Sequence, residues 1–383
     1  MSTMWTTRRV AIALLASAAT ISTAAAQEKV LKIGSIFALS GPNASIGKES
    51  LGGAEYAVKK VNQAGGVTIG ADKYKLELIN VDDESKAERS VAAAEKLIGK
   101  DNVPVILTPP SSTTTLAVVP LAEKNKRIAL SFVAAAPTVT GPEYKLSFRT
   151  TLTSIMNVAP AIEYLVKQKG AKNIAYIGRN DDWGRSAGKA ISETIVKLGG
   201  KLVVEEYFDT GSTDFYGLLT KVRAANPDAV VGGAFIEDGV SMIKQYRELQ
   251  MTQPFMSIAV IWGSPTFLKS AGAAVEGINI STGPTTSAST ELQAFNKQFK
   301  KDTGGDALPY NVTAYDNVMM LLEAMKKAGS IEPETVANVL RTFEYKGLLQ
   351  TYKFEGTGQS QVQINVNEVK GGKVGVISSL ITK

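Results

Sequence analysis

A short β-rich run, a polar or glycine-rich turn and a helical apolar period follow one another along this sequence, and the whole series occurs twice. In the first series, Leu31–Phe37 reads as a strand and the Ser40-Gly41-Pro42 turn follows it. Ala54, Ala57, Val58 and Val61 then recur at i, i+3, i+4, i+7, the period of an amphipathic helix. Leu76–Val81, Val105–Leu107 and Arg127–Phe132 continue it as strands. The second series starts near Thr151, with strands at Asn173–Gly178, Lys201–Glu205 and Asp228–Gly232. Ala187, Ala190, Ile191, Thr194, Ile195 and Leu198 form a helical face between the first two. Right-handed β-α-β crossovers build parallel sheets covered on both faces. Two such series predict an α/β protein of two doubly wound lobes, and 383 residues suffice for two cores. Eight even units are absent, which argues against a single barrel.

In open α/β sheets ligands gather beyond the carboxyl ends of the strands, so the strand-to-helix turns are where function should sit. After Val105–Leu107 comes Thr108-Pro-Pro-Ser-Ser-Thr-Thr-Thr115, a helix start with several hydroxyls beside free backbone N–H groups. That combination suits a carboxylate, and it equally suits simple N-capping. Val133-Ala-Ala-Ala136-Pro137 is a small-residue turn, which admits a ligand close to the backbone or merely ends a strand. Arg179-Asn-Asp-Asp-Trp183-Gly184 and the segment ending Ile261-Trp262-Gly263 each place a tryptophan in a turn, and Phe235 follows Gly232-Gly233. Tryptophan usually packs in a core; three aromatics around one cleft would instead favour an apolar or aromatic ligand.

Rival chemistries lack their residues. The chain has no cysteine and no histidine, which removes thiol nucleophiles, imidazole bases, Cys/His zinc sites and disulfides. No dinucleotide or P-loop glycine motif and no EF-hand loop is present, so no cofactor or metal is expected and the protein is not read as an enzyme. Asp82-Asp83-Glu84 and Asp181-Asp182 read as loops or helix caps. The net charge of +6 is spread without a basic stripe, so no nucleic-acid partner is expected.

The first 26 residues read as a leader. Arg8 and Arg9 precede the apolar run Val10–Ala19, and Thr23-Ala-Ala-Ala26 offers an Ala-x-Ala cleavage site before Gln27. The run is about half of the roughly 20 residues a spanning helix needs. Without a cysteine at the cleavage point the product is not a lipoprotein. The mature chain, cleaved after Ala26, is expected in a bacterial periplasm, and losing Arg8 and Arg9 takes the charge from +6 to +4.

The order of parts resembles the periplasmic type I solute-binding proteins of the leucine/isoleucine/valine-binding class. Ile33-Gly34, Leu39-Ser40-Gly41-Pro42, Gly47, Asn62, Gly65-Gly66-Val67 and Asp82-Asp83 match its opening in order. Asp182-Trp183-Gly184, Ser212-Thr213-Asp214-Phe215 and Pro309-Tyr310 with Thr313-Ala314-Tyr315-Asp316 carry the match along the mature chain. The resemblance implies two lobes joined by three crossovers, residues 27–150 with 281–356 and residues 151–280 with 357–383. It implies a monomer that closes on a small ligand and delivers it to an ABC permease in the inner membrane. Carried over by position, the ligand residues would be Ser111, Ser112 and Thr113 for a carboxylate, and Val133, Ala134 and Ala135 for backbone contacts. Trp183, Phe235, Trp262, Tyr310 and Ile46 would form the walls.

Two positions depart from the family's amino-acid binders. Ala135 stands where a threonine helps hold the α-amino and carboxylate groups, and Val260 lies where an acid pairs with the ammonium. A buried ammonium without a partner costs several kcal/mol. Hydroxyls for a carboxylate, aromatics for a ring and no acid for an amine favour an aromatic acid such as a benzoate or cinnamate. A branched-chain or other hydrophobic amino acid is the alternative if Asp181, Asp182 or Glu237 reaches the cleft. A periplasmic sensor for a signalling receptor is the alternative of another class.

Overall fold

The computed structural model describes residues 29–283 and 289–381; the leader assigned to residues 1–26 lies outside them. The chain begins with β1 (Lys29–Ile36), β2 (Val67–Ile69), β3 (Asp72–Val81), β4 (Val105–Leu107), β5 (Ile128–Ser131) and β6 (Ser147–Arg149). These belong to one sheet, and α1 (Ala44–Gln63), α2 (Ala87–Gly99) and α3 (Ser112–Lys124) connect them. After Arg149 the chain crosses to a second sheet built from β7 (Asn173–Arg179), β8 (Lys201–Phe208), β9 (Ala229–Gly233), β10 (Phe255–Ser257) and β11 (Asn279–Thr282). Its helices are α4 (Ser154–Lys167), α5 (Asp182–Lys197), α6 (Tyr216–Ala224), α7 (Ile236–Glu248) and α8 (Pro265–Ala271).

The chain then returns to the first sheet. It runs through α9 (Thr290–Thr303), α10 (Pro309–Ala328) and α11 (Pro333–Leu340) into β12 (Glu344–Lys346), β13 (Thr351–Glu355) and β14 (Gln359–Ser360). It crosses a third time to add β15 (Gln363–Lys370) and β16 (Lys373–Ile381) to the second sheet. The orders are β12-β13-β14-β6-β5-β4-β1-β3-β2 and β16-β15-β11-β10-β9-β7-β8.

The centre of each sheet is parallel, as the alternating sequence requires. β4, β5 and β9 are buried at every residue, which is why they read as unbroken apolar runs rather than alternating ones. The antiparallel margins are an addition that the alternation did not announce: β2 folds back on β3, β12 and β13 pair as a hairpin, and β15 and β16 close the second sheet. β10 stops at Ser257, and Val260–Gly263, ahead of α8, turns into a short 3₁₀ helix.

Each sheet seats the helix that follows its first strand in the same way. A side chain at Gly47 would bring its Cβ to 1.9 Å from the Ala38 carbonyl oxygen, and one at Gly184 to 2.0 Å from that of Arg179. Only glycine lets α1 and α5 start this close to the strand end before them. The strand-end turns of the two sheets are thereby held against one shared cleft.

Candidate functional site

The cleft encloses a cavity of about 130 Å³, close to the roughly 150 Å³ that admits a benzene ring in an engineered protein core. Both lobes line it, with Ser111, Ser112 and Phe132–Ala135 on one side and Trp183, Phe235 and Ile258–Ile261 on the other. The crossover residues Thr150–Leu152, the start of α10 with Tyr310, and Gln350 complete it.

The hydroxyl-rich turn divides its work by residue. Ser111 is the N-cap of α3: its Oγ accepts the Thr114 N–H at 3.2 Å and pairs with Thr114 Oγ1 at 2.8 Å. Capping therefore explains Ser111. Ser112 is different, because its Oγ accepts the Ala136 N–H at 3.0 Å and so keeps its own proton to donate. The N–H groups of Ser112 and Thr113 stand in the first turn of α3, where a helix offers them no acceptor. A donor hydroxyl beside such N–H groups is a seat for an anion.

Arg149 sits behind the small turn, only 1% exposed. It donates to the Ala136 carbonyl, to Gln359 Oε1 and to Thr140 Oγ1, all of them neutral acceptors. Burial lowers its pKa to about 9, which still leaves a cation at neutral pH. An unneutralised positive charge behind Val133–Ala136 adds to the attraction for an anion.

The opposite wall is aromatic. Trp183 and Phe235 stack with ring centroids 5.1 Å apart and planes inclined by 28°. The Arg179 guanidinium lies 4.1 Å from the Phe235 ring, a cation–π contact that fixes that ring in turn. Asp181 is the one carboxylate on the cavity wall among the described residues, and it is already committed. One oxygen accepts the Gly184 N–H at 2.8 Å as the N-cap of α5, and the other lies 2.9 Å from Arg179 Nε. Asp182 accepts Thr113 Oγ1 at 2.7 Å outside the cavity, and Glu237 is exposed. Ala259 and Val260 line the wall and bring no carboxylate to it.

Of the residues singled out in the sequence, Ser111, Ser112, Val133, Ala134, Ala135, Trp183, Phe235 and Tyr310 meet around this cavity. Three do not. Thr113 is one helical step past Ser112, so its side chain turns away and bonds Asp182 across the lip of the cleft. Ile46, 1% exposed, is buried in the first turn of α1, which Gly47 draws against Ala38. Trp262, expected in the wall, is fully buried behind it. Its indole lies between Phe255 at 5.5 Å and Phe267 at 4.5 Å, and Nε1 donates to the Ala234 carbonyl at 2.8 Å. It braces the turn that carries Phe235 rather than facing a ligand. Arg149 and Gln350 were missed: one is an arginine closing the short strand Ser147–Arg149, the other a glutamine in a late loop.

Tyr310 begins the first turn of α10, and its backbone N–H donates to Glu49 of α1. Burial outweighs that bond and raises the Glu49 pKa to about 7.

Comparison with known proteins gives one family. The family described as periplasmic binding protein matches residues 30–373. A leucine-, isoleucine-, valine-, threonine- and alanine-binding protein of Pseudomonas aeruginosa is 26% identical over 335 residues, which is 85% of this chain and 88% of that protein. The solved structure of a leucine-binding protein from Thermotoga maritima superposes with a TM-score of 0.80 at 23% identity, covering 91% of this chain and 98% of that one. A solute-binding protein of an ABC transporter from Rhodopseudomonas palustris, solved in complex with 3,4-dihydroxybenzoic acid, superposes with a TM-score of 0.82 at 22% identity, covering 92% and 98%. No helix among the described residues is long and apolar enough to cross a membrane. With two crossed-over α/β lobes around one cavity and a family match along nearly the whole chain, this protein belongs to the periplasmic binding protein family, which includes the solute-binding proteins of ABC transporters.

Proposed function

We propose that this protein captures a small aromatic carboxylate between its lobes and delivers it to an ABC permease in the inner membrane. The observation that carries the ligand class is the asymmetry of charge in the cavity. Ser112 and the start of α3 offer donors to an anion, with the Arg149 cation behind them, while Asp181 is spent on Arg179 and Gly184. An amino acid would bury an ammonium with no free acid to meet it, at a cost of several kcal/mol. A ring lies against Trp183 and Phe235 instead. Amino-acid binders and an aromatic-acid binder share this fold, so the fold itself does not select between them.

In the proposed cycle the carboxylate docks on the lobe built on the first sheet, which keeps β14 (Gln359–Ser360) and not the end of β11 (Asn279–Thr282), and the lobe built on the second sheet closes its aromatic wall over it. The three crossovers act as hinges, and the ligand's greater affinity for the closed form drives the closure. The Thr113–Asp182 bond, which spans the two lobes, would form on closing. Titration of the mature protein with aromatic acids, keto acids and amino acids tests the proposal, with tryptophan fluorescence as the signal. Saturable binding of benzoate or cinnamate without a response to leucine is the expected result. Tight leucine binding would overturn it and return the family's amino-acid ligands.

A further inference from the structure

One polar atom of a cavity-lining residue has no role in the site so far described. Gln350, in the loop before β13, donates its side-chain Nε2–H to the Thr150 carbonyl at 3.0 Å, which fixes which way the amide faces. Its Oε1 is then buried with no hydrogen-bond partner. Several other polar side chains of the wall are spent on protein partners. Thr313 donates to the Pro309 carbonyl, Tyr352 to Asp316 and Thr150 to Asn317, and Asp181 has both its oxygens bound. Among the described cavity residues, Gln350 alone keeps a buried side-chain atom unsatisfied. A buried acceptor left unmatched calls for an explanation, and beside a binding cavity a donor on the ligand supplies one.

The topology gives this acceptor its place. Ser112 follows β4, the small turn Val133–Ala135 follows β5, and Thr150, to which Gln350 is tied, follows β6. These strands are neighbours in the order β6-β5-β4, so the Ser112 and Gln350 positions lie two strand spacings apart, roughly 10 Å. Between them lie the alkyl groups of the small turn, across from Trp183 and Phe235. A ligand whose carboxylate rests on Ser112 lays its ring over that turn and points its far end towards Gln350.

We propose that Gln350 is a specificity residue that accepts a hydrogen bond from a ring hydroxyl, so that the preferred ligand is a hydroxylated aromatic acid. The inference rests on the aromatic-carboxylate reading above and adds the second functional group. A site built to accept from a hydroxyl rejects an analogue that cannot donate, because the buried acceptor then stays unpaired.

Calorimetric titration of the mature protein with benzoate, 4-hydroxybenzoate and 4-methoxybenzoate tests it, since the methoxy group fills the same place without a proton to donate. The expected result is 4-hydroxybenzoate bound about tenfold tighter than either analogue. In Gln350→Met that preference falls to near unity. Equal affinities for the three acids in the wild type, or an equal loss for all three in the variant, would overturn the role of Gln350 and leave the aromatic-carboxylate reading standing. No binding of any of the three would overturn both. Should Gln350→Met fail to fold, the wild-type contrast between hydroxyl and methoxyl decides by itself.

Discussion

The two faces of the cavity are built from the same parts, strand-end turns of a parallel sheet, yet they do opposite things. The first-lobe face is polar and largely backbone: the Ser112 hydroxyl, the start of α3 and the turn that Arg149 braces from behind. The second-lobe face is a stack of Trp183 on Phe235, with Arg179 holding both that stack and the one acid of the wall among the described residues. In the proposed site, charge recognition falls to one lobe and apolar area to the other. Such a division suits a protein that closes: the anion seat stands preformed on one lobe, and the apolar lid gains most of its buried area when the second lobe arrives.

The comparison breaks most visibly at the two tryptophans, because one belongs to the wall and the other to its support. Trp262→Ala removes a fully buried indole and its bond to Ala234. We expect a loss of about 3–5 kcal/mol in stability, read as a lowered midpoint in chemical denaturation. An undiminished midpoint would mean that Phe235 needs no such support. Trp183→Ala instead opens the cavity, and ligand affinity should fall by about 2–3 kcal/mol in calorimetry with a much smaller change in melting temperature. The ligand-induced fluorescence change should vanish with Trp183 and persist in Trp262→Phe.

On the first-lobe face the charges give a pH test. Burial raises the Glu49 pKa from 4.5 to about 7, so between those values the folded protein holds a proton that the unfolded chain has released. This group's contribution to stability therefore falls as pH rises from about 4.5 to about 7 and is level above that, by as much as about 3 kcal/mol. Denaturation midpoints across this range should show a shallower fall in Glu49→Gln than in the wild type; parallel curves would remove Glu49 from the account. Ser112→Ala is the finest cut. It should weaken a carboxylate ligand by about 1–2 kcal/mol while leaving the corresponding neutral amide nearly unaffected, as measured by competition titration. An equal loss for acid and amide would mean that the hydroxyl shapes the turn and does not read charge.

How much of this was legible beforehand varies with distance along the chain. Ser112, Val133–Ala135, Trp183 and Phe235 could be found because each follows a recognisable strand within a few residues, and strand ends of parallel sheets face the cleft. Thr113 shows the limit of that logic: successive helical residues point about 100° apart, so a run of hydroxyls cannot all face one ligand. Trp262 failed for a related reason. The chain leaves β10 at Ser257 and curls into a 3₁₀ turn, which carries the indole behind the wall instead of onto it.

The sequence by itself determined the local order: which segments are strands, which are helices, and where the two series begin, because apolar periodicity and turn residues act over a few positions. It also determined, by the residues it omits, that thiol and imidazole chemistry are absent. The tertiary structure decided which polar groups are spent on one another. Arg149 meets Gln359 from 210 residues away, and Gln350 reaches Thr150 across 200 residues beside the cavity. Pairings at such separations depend on where three crossovers place the returning chain, and the residues between them carry no local signature of it.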